Sequence, residues 1–211
     1  SGDFTNENLY ETYSAFLPHT YLPQSHSMAI YSRYPILQSD VVEFENTNNC
    51  AIWADIDVEG TTLRVISVHM QTTSFDRMRS KAAQARAAAN EEGERQIYLN
   101  FTDNLESNMI ERANQALMVE EIMKSTDHPT ILCGDFNDTP GTYTYETLKG
   151  DMKDGFQTGG KGFAWTYRGL YNLLRIDYIF HSKELKGLEY ESMDYEMSDH
   201  NPVMMTLCIE E

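Results

Sequence analysis

The sequence predicts one domain of the α/β class, built as a sandwich. Three observations support this prediction. Apolar and polar residues alternate in several runs near both ends of the chain, as is typical of strands, whereas the middle is rich in Ala, Glu, Arg and Gln, which favour helix. With 211 residues, 41% of them hydrophobic, the chain can bury a core without disulfides. No repeat or linker-like tract divides it, so residues 1–211 are predicted to form one unit.

The first predicted elements are strands, followed by helices. Alternation over residues 27–36, 51–58 and 62–70 favours strands, and Glu59-Gly60 is typical of a hairpin turn. A helical excursion over 72–125 comes next. We expect its first part, up to residue 108, to pack outside the core rather than to cap a cleft, because it offers no aromatic or basic patch for nucleic acid.

Strands return in the last third of the chain. Pro129 ends the helical segment and introduces a short apolar strand over 130–133. Residues 175–181 alternate toward a buried face, and 202–209 form another β-rich run. Strands therefore dominate the ends and helices the middle, which is the pattern of an α/β sandwich.

The charge of the chain limits the classes of partner. A net charge of -17 repels polyanions, which disfavours a broad surface for nucleic acid. A bound divalent cation can reverse the sign locally, so an acidic protein can still bind phosphate through the ion. Solubility explains the same charge equally well. No run of apolar residues approaches the roughly 18 that a membrane span needs.

Polar residues that follow apolar strands mark the candidate site. Asp135 and Asn137 are two residues apart, so in an extended segment they face the same side while Phe136 turns into the core. A carboxylate beside an amide suits phosphoryl transfer, because the acid can hold or deprotonate a water that the amide orients. An Asx-type turn after a strand explains the pair without any chemistry.

Three further residue groups extend this pattern. Asp199-His200 combines a hard oxygen ligand with a group that can donate a proton, just before the last strand. Asp177 interrupts an apolar strand, and a buried carboxylate needs a partner such as histidine. His69 closes another strand, and taken alone it is better explained as structural.

The order of these segments resembles the endonuclease/exonuclease/phosphatase superfamily, which includes deoxyribonuclease I-like nucleases, abasic-site endonucleases, inositol polyphosphate phosphatases and sphingomyelinases. The resemblance implies a four-layer sandwich of two face-to-face mixed β-sheets flanked by helices, with the active site at one edge. The segments that carry it are Ser32-Arg33-Tyr34-Pro35-Ile36, Ser67-Val68-His69, Gly134-Asp135-Phe136-Asn137-Asp138, Arg175-Ile176-Asp177-Tyr178 and Ser198-Asp199-His200-Asn201-Pro202.

The resemblance also implies roles for single residues. Asp135 would bind or activate the attacking water, and Asn137 would position that water or a phosphate oxygen. His200 would contact the scissile phosphate while Asp177 holds its ring, and His69 would be a second histidine on the phosphate side.

A metal ion is the cofactor that the resemblance implies. Asp199 would be a ligand directly or through water, and Asp135 would be a second ligand. Magnesium is the expected ion, with manganese or calcium as alternatives, because magnesium prefers oxygen ligands and is commonly held by one or two carboxylates together with substrate phosphate.

The chain also departs from the resemblance at its N-terminus. Members normally carry an earlier strand with an asparagine and a strand ending in a Gln-Glu pair whose glutamate binds metal, and neither is visible. We therefore expect a fold truncated at its N-terminus, weak metal binding and low activity. A signal or anchor ahead of Ser1 would make the protein secreted or membrane-anchored.

The function expected from all these features is hydrolysis of a phosphoester. A small or lipid-derived phosphoester is favoured as substrate, since the net charge disfavours long nucleic acid. A magnesium-dependent endonuclease or exonuclease is the first alternative. A non-catalytic binding module that retains the fold is the second. Natural substrate and oligomeric state have no signal in the sequence.

Overall fold

The structure, a computed structural model, describes residues 12–24, 28–73, 75–194 and 196–209. The strands of this part of the chain are β1 (His19–Tyr21), β2 (Ile30–Ser32), β3 (Ile36–Glu43), β4 (Cys50–Val58), β5 (Thr61–His69), β6 (Thr130–Asp135), β7 (Lys153–Asp154), β8 (Asp177–His181), β9 (Leu185–Ser192) and β10 (Val203–Ile209). Its main helices are α1 (Phe75–Ala87), α2 (Glu91–Lys124), α3 (Tyr143–Lys149), α4 (Gly155–Gly159) and α5 (Gly169–Asn172).

A mixed six-stranded sheet in the order β3-β4-β5-β6-β8-β7 is the centre of the fold. Strands β5 and β6 are parallel, because the long helical segment between them returns the chain to the same end of the sheet. In this register His69 lies beside Asp135, and Asp135 lies beside Asp177 on the other side. Two strands therefore end, and a third begins, at one point of the sheet edge.

One face of the sheet packs against helices α2 and α3. Alternate residues of the strands point to this face and are buried, as the period of two in a strand requires. Together with Phe136 they meet Ala116 and Val119 on α2 and Leu148 on α3. The sheet residues in this core include Ile66, Val68, Leu132, Tyr178 and Phe180.

The opposite face of the sheet packs against strands. Cys50, Ile52 and Ala54 of β4 face the antiparallel pair β1–β2, and Ile179 of β8 packs with Tyr190 of the pair β9–β10. The predicted sandwich of sheets with outer helices is confirmed. In the described residues its second layer of strands consists of these two separate pairs.

The strand predicted over 27–36 is wrong in its extent. Strand β2 ends at Ser32 and β3 begins at Ile36. Between them the Tyr34 amide donates to the Ser32 hydroxyl at 2.9 Å, and Pro35 has no amide hydrogen for a ladder. The prediction of helix over the middle of the chain is confirmed as the pair α1 and α2. None of the helices in the described ranges combines the length and hydropathy of a membrane span.

Gly134 of β6 lies directly beside Val68 of the neighbouring strand β5. Its φ is +136°, and a Cβ there would lie 2.0 Å from the carbonyl oxygen of Val68. We expect Gly134→Ala to lower the free energy of unfolding by about 3 kcal/mol, because backbone atoms of a central strand have to move. Chemical denaturation measures this loss.

A second glycine provides the matched control for this substitution. Gly141 has a φ of +87°, and a Cβ there would meet nothing within 4 Å. Gly141→Ala therefore carries only the backbone cost, which is about 1 kcal/mol. Equal losses in the two variants would contradict the role of close strand packing at Gly134.

Candidate active site

The predicted site residues converge on one cavity at the edge of the large sheet. The cavity has a volume of about 710 Å³. Strand ends supply His69, Asp135 and Asp177. The loop before β10 supplies Asp199 and His200, and a β-bridge between His200 and Tyr167 holds this loop in place. The predicted residues that line it are His69, Asp135, Asn137, Asp177, Asp199 and His200.

Asn137 holds the carboxylate of Asp135 in place. The Asn137 amide donates to Oδ1 of Asp135 at 2.8 Å, and its side-chain Nδ2 donates to Oδ2 at 2.9 Å and to the Met70 carbonyl at 3.2 Å. Asn137 adopts a φ of +51°, which asparagine tolerates better than most residues. The Asx-type turn left open above is therefore present, and it forms part of the site geometry.

Asp177 and His200 form a close pair. His200 Nδ1 lies 2.9 Å from Oδ2 of Asp177. This hydrogen bond, together with the charges of Asp177, Asp135 and Asp199, raises the His200 pKa to about 9 although burial opposes the shift. At neutral pH the ring is therefore protonated. Its Nε2, which faces away from Asp177, lies 4.0 Å from Oδ2 of Asp135.

Asp135 has an environment suited to proton transfer. Burial is the main cause that raises its pKa to about 7, and the charge of Asp177 adds to this, whereas His200 and Asn137 act in the opposite direction. A carboxyl group with a pKa near the working pH can accept a proton and release it again. Perturbed groups of this kind cluster at functional sites.

His69 lies on the other side of Asp135. Its Nε2 is 3.7 Å from Oδ2 of Asp135. Burial, followed by the charge of His200, lowers the His69 pKa, so this ring is mostly neutral at pH 7. The cavity therefore holds one protonated and one neutral imidazole, which can respectively donate to an anion and exchange a proton.

Asp135, Asp177 and His200 lie close enough together to hold a metal ion. Their ligand atoms all lie within 4.8 Å of one another. Two carboxylates fit a hard cation, which prefers oxygen donors. Asp199 lines the cavity with an exposed side chain and lies outside this group, and its carbonyl accepts from the Arg168 amide at 2.8 Å. Its role as a metal ligand, directly or through water, stays a prediction.

Thr166 is a structural support that sequence reasoning missed. Its side chain is fully buried, and its hydroxyl oxygen accepts from the amides of Ile176 and Asp177 at 2.9 and 3.0 Å. Its carbonyl accepts from the amide of Asn201 at 2.7 Å. Thr166 thus ties the start of β8 to the His200 loop, and no sequence pattern marks it.

Arg112 is a second missed support. It is 2% exposed and comes from helix α2. It donates to the Gln71 carbonyl at 3.1 Å and to the Thr73 hydroxyl at 3.0 Å, and it pairs with Asp138 at 3.3 Å. These bonds fix the loop after β5 against the loop after β6, so the guanidinium stabilises the positions of His69 and Asp135. An Ala-rich helix with several arginines does not reveal which of them is buried.

The prediction that 72–108 packs outside the core without lining a cleft is wrong. Arg77 of α1 and Leu105 and Met109 of α2 line the active-site cavity. The buried residues of α2 all lie between 112 and 122. A helix of 34 residues is about 51 Å long, so its first half extends past the core and reaches the cavity.

The pairing of His200 predicts how stability changes with pH. The His200 pKa is raised from 6.5 to about 9 on folding, so its stabilisation is fully present below pH 6.5 and is lost as the pH rises through 9. In metal-free buffer we expect wild type to exceed His200→Gln in free energy of unfolding by about 1–2 kcal/mol at pH 7 and by about zero at pH 10, allowing for solvent screening.

Denaturation at both pH values measures this difference. Asp177→Asn is the control, because it removes the negative charge beside the ring and should strongly reduce the pH dependence of the His200 contribution. A difference between wild type and His200→Gln that stays constant from pH 7 to pH 10 would contradict the raised pKa.

Comparisons with known proteins agree with the fold of the chain. A family model described as Endonuclease/Exonuclease/phosphatase family matches residues 3–200. No curated protein matches the sequence. Among solved structures, a mannosyl-6-phosphatase from Bacteroides thetaiotaomicron is 17% identical, with a TM-score of 0.59 over 86% of this chain and 70% of its own.

Two other solved structures show the same fold. A humanized form of TDP2 from D. rerio is 18% identical, with a TM-score of 0.60 over 85% of this chain and 70% of its own. An endonuclease/exonuclease/phosphatase from Beutenbergia cavernae is 18% identical, with a TM-score of 0.63 over 96% of this chain and 57% of its own. The chain thus spans 57% to 70% of the length of these three structures.

Proposed function

Because the chain belongs to the endonuclease/exonuclease/phosphatase family, we propose that it is a metal-dependent phosphoester hydrolase. Members of this family hydrolyse phosphoesters, and the cavity at the sheet edge has the groups that this reaction needs. The observation that carries the proposal is the placement of a protonated His200 and a half-buried Asp135 4.0 Å apart, each held by its own partner.

Asp135 is proposed to accept the proton of the attacking water. Its oxygens are already oriented by the two donors of Asn137, so little reorganisation is needed when the water binds. With a pKa near 7, the carboxylate can take the proton as the water attacks phosphorus.

His200 is proposed to stabilise the charge that develops on the phosphoryl group. Asp177 fixes the ring through Nδ1, so the Nε2 hydrogen points toward the cavity and can donate to a phosphate oxygen. His69, on the far side of Asp135, is proposed to contact a second phosphate oxygen. The scissile phosphate would then lie between the two imidazoles.

Magnesium is the proposed ion, with manganese and calcium as alternatives. Asp135 and Asp177 would hold it, with His200 beside them and Asp199 at the rim of the cavity. A bound divalent ion would supply positive charge that neutralises the phosphoryl oxygens and the leaving group.

A small or lipid-derived phosphoester is the proposed substrate. A cavity of about 710 Å³ is within the range of small-molecule sites. The net charge of -17 opposes a long nucleic acid along the surface. Leu105 and Met109 give part of the wall an apolar surface that suits an uncharged portion of the substrate.

A substrate panel tests the proposal. We would measure turnover of phosphomonoesters, phosphodiesters, a phospholipid and a short oligonucleotide, each with magnesium, manganese, calcium or a chelator. Turnover of at least one small phosphoester that the chelator abolishes is the expected result. If only the oligonucleotide is cleaved, the protein is a nuclease. If no phosphoester is cleaved with any of the metals, the fold serves as a binding module and the proposal is wrong.

A further inference from the structure

A second cavity lies next to the active site. Its volume is about 350 Å³, and it runs between helices α1 and α2. Thr72, Thr73 and Arg77 line both cavities, so the two are contiguous. We call this second cavity the interhelical groove. Its lining comes from the loop after β5 and from α1 and α2.

The interhelical groove has the opposite charge from the rest of the chain. The sequence has 33 acidic and 16 basic residues, yet the charged residues that line the groove in the described ranges are Arg77 and Lys81, with no carboxylate. They lie four residues apart on α1, where like charges face each other and repel. Neither forms an ion pair with a described residue. This positive surface is directed at solvent and available to an anion.

The facing helix supplies a row of amides. Asn100, Asn104 and Asn108 line the groove at intervals of four residues, which places them on one face of α2. Asparagine is a weak helix former, so helix stability does not explain this row.

Hydrogen bonds occupy the two ends of the amide row. Gln96 donates to the side-chain oxygen of Asn100 at 2.8 Å, and Gln71 donates to that of Asn108 at 3.2 Å. Asn104, in the middle, has no hydrogen-bond partner among the described residues and is exposed. Its amide therefore lies opposite the cations with both its donor and its acceptor available.

We propose that the interhelical groove binds a second anionic group of the substrate, carried on a scaffold with hydroxyl groups. Lys81 and Arg77 would contact the anion and Asn104 a hydroxyl, while the scissile phosphate lies between His200 and His69. Cations suit the anion, and a side-chain amide can both donate to and accept from a hydroxyl. Arg77 lines both cavities and lies between the two anions. This inference rests on the proposed function and narrows its substrate class to small polar phosphoesters with two anionic groups.

A comparison of a hexose bisphosphate with the corresponding hexose monophosphate tests the proposal. Wild type is expected to prefer the bisphosphate in kcat/KM by about tenfold or more, a factor typical of one charge-assisted contact. In Lys81→Met this preference should fall by about tenfold, and Lys81→Arg should restore most of it. Asn104→Leu should lower kcat/KM for both sugars relative to a phosphoester without hydroxyl groups.

Lys124→Met is the matched control, because it removes the same charge from an exposed position at the far end of α2. It should leave the preference unchanged. A preference that Lys81→Met leaves unaltered in a folded protein would overturn the proposal and identify the groove as a solvated helix face.

Binding measurements separate this inference from the proposed function. If no variant turns over any phosphoester, calorimetric titration with the same bisphosphate still decides the matter. Weaker binding by about tenfold in Lys81→Met supports the groove as an anion site without catalysis. Equal dissociation constants for wild type and Lys81→Met would reject it.

Discussion

Asp135→Asn is expected to lower kcat/KM by about 10³-fold for any phosphoester that the protein hydrolyses, which is within the range known for removal of a general base. The substitution keeps the size of the side chain and leaves an acceptor for the Asn137 amide. It removes the group whose pKa burial raises to about 7 and which faces both imidazoles of the cavity. The effect should be on kcat, because water activation occurs after the substrate binds.

Steady-state kinetics at pH 7 to 8 measure this loss. Asp151→Asn is the matched control: its side chain is 98% exposed and does not line the cavity, so the activity of this variant should equal that of wild type. Thermal unfolding of both variants shows whether the fold is retained. A folded Asp135→Asn protein that keeps more than about a tenth of the wild-type activity would contradict a role in general base catalysis, which contributes roughly 10²-fold or more.

His200 and Asp177 are expected to act as one unit. His200→Gln removes the protonated ring, and Asp177→Asn removes the carboxylate charge that orients the ring and raises its pKa. Each substitution should lower kcat/KM by about 10²-fold, because each loses a preorganised donor to the phosphoryl oxygens. The kcat/KM of the double variant should be within about threefold of that of the less active single variant, since the effects of residues that act together are not additive.

A double-mutant cycle measures the coupling between these two residues. His128→Gln serves as the control, because His128 is exposed and does not line the cavity. Losses that multiply in the double variant would show that the two residues act separately. They would contradict a mechanism in which Asp177 works by holding the ring of His200.

Much of the candidate site was predictable from local sequence. Asp135 and Asp177 are carboxylates at the ends of apolar strands, where a buried charge is costly without a function or a partner. His69 and His200 were informative only in combination with them. The parallel pairing of β5 and β6 follows from the long helical connection and brings the strand ends together.

Other features depend on contacts that leave no periodic signal. Thr166 and Arg112 act through hydrogen bonds to backbone and side-chain atoms distant in sequence, and neither belongs to a pattern of apolar residues. Asp199 is the neighbour of His200 in the sequence, yet it is exposed whereas His200 is partly buried. The conformation of the loop decides which side chain turns inward, and the order of the residues does not reveal it. The interhelical groove arises only when α1 folds back on α2.

Hydrolysis in ¹⁸O-labelled water tests the central claim most directly. Water attack on phosphorus at Asp135 predicts that each phosphate or phosphoester product contains one labelled oxygen, that the alcohol product contains none, and that Asp135→Asn forms labelled product only at the background rate. Mass spectrometry of both products measures the label. Label in the alcohol, or labelled phosphate formed equally fast by the folded Asp135→Asn protein, would contradict it.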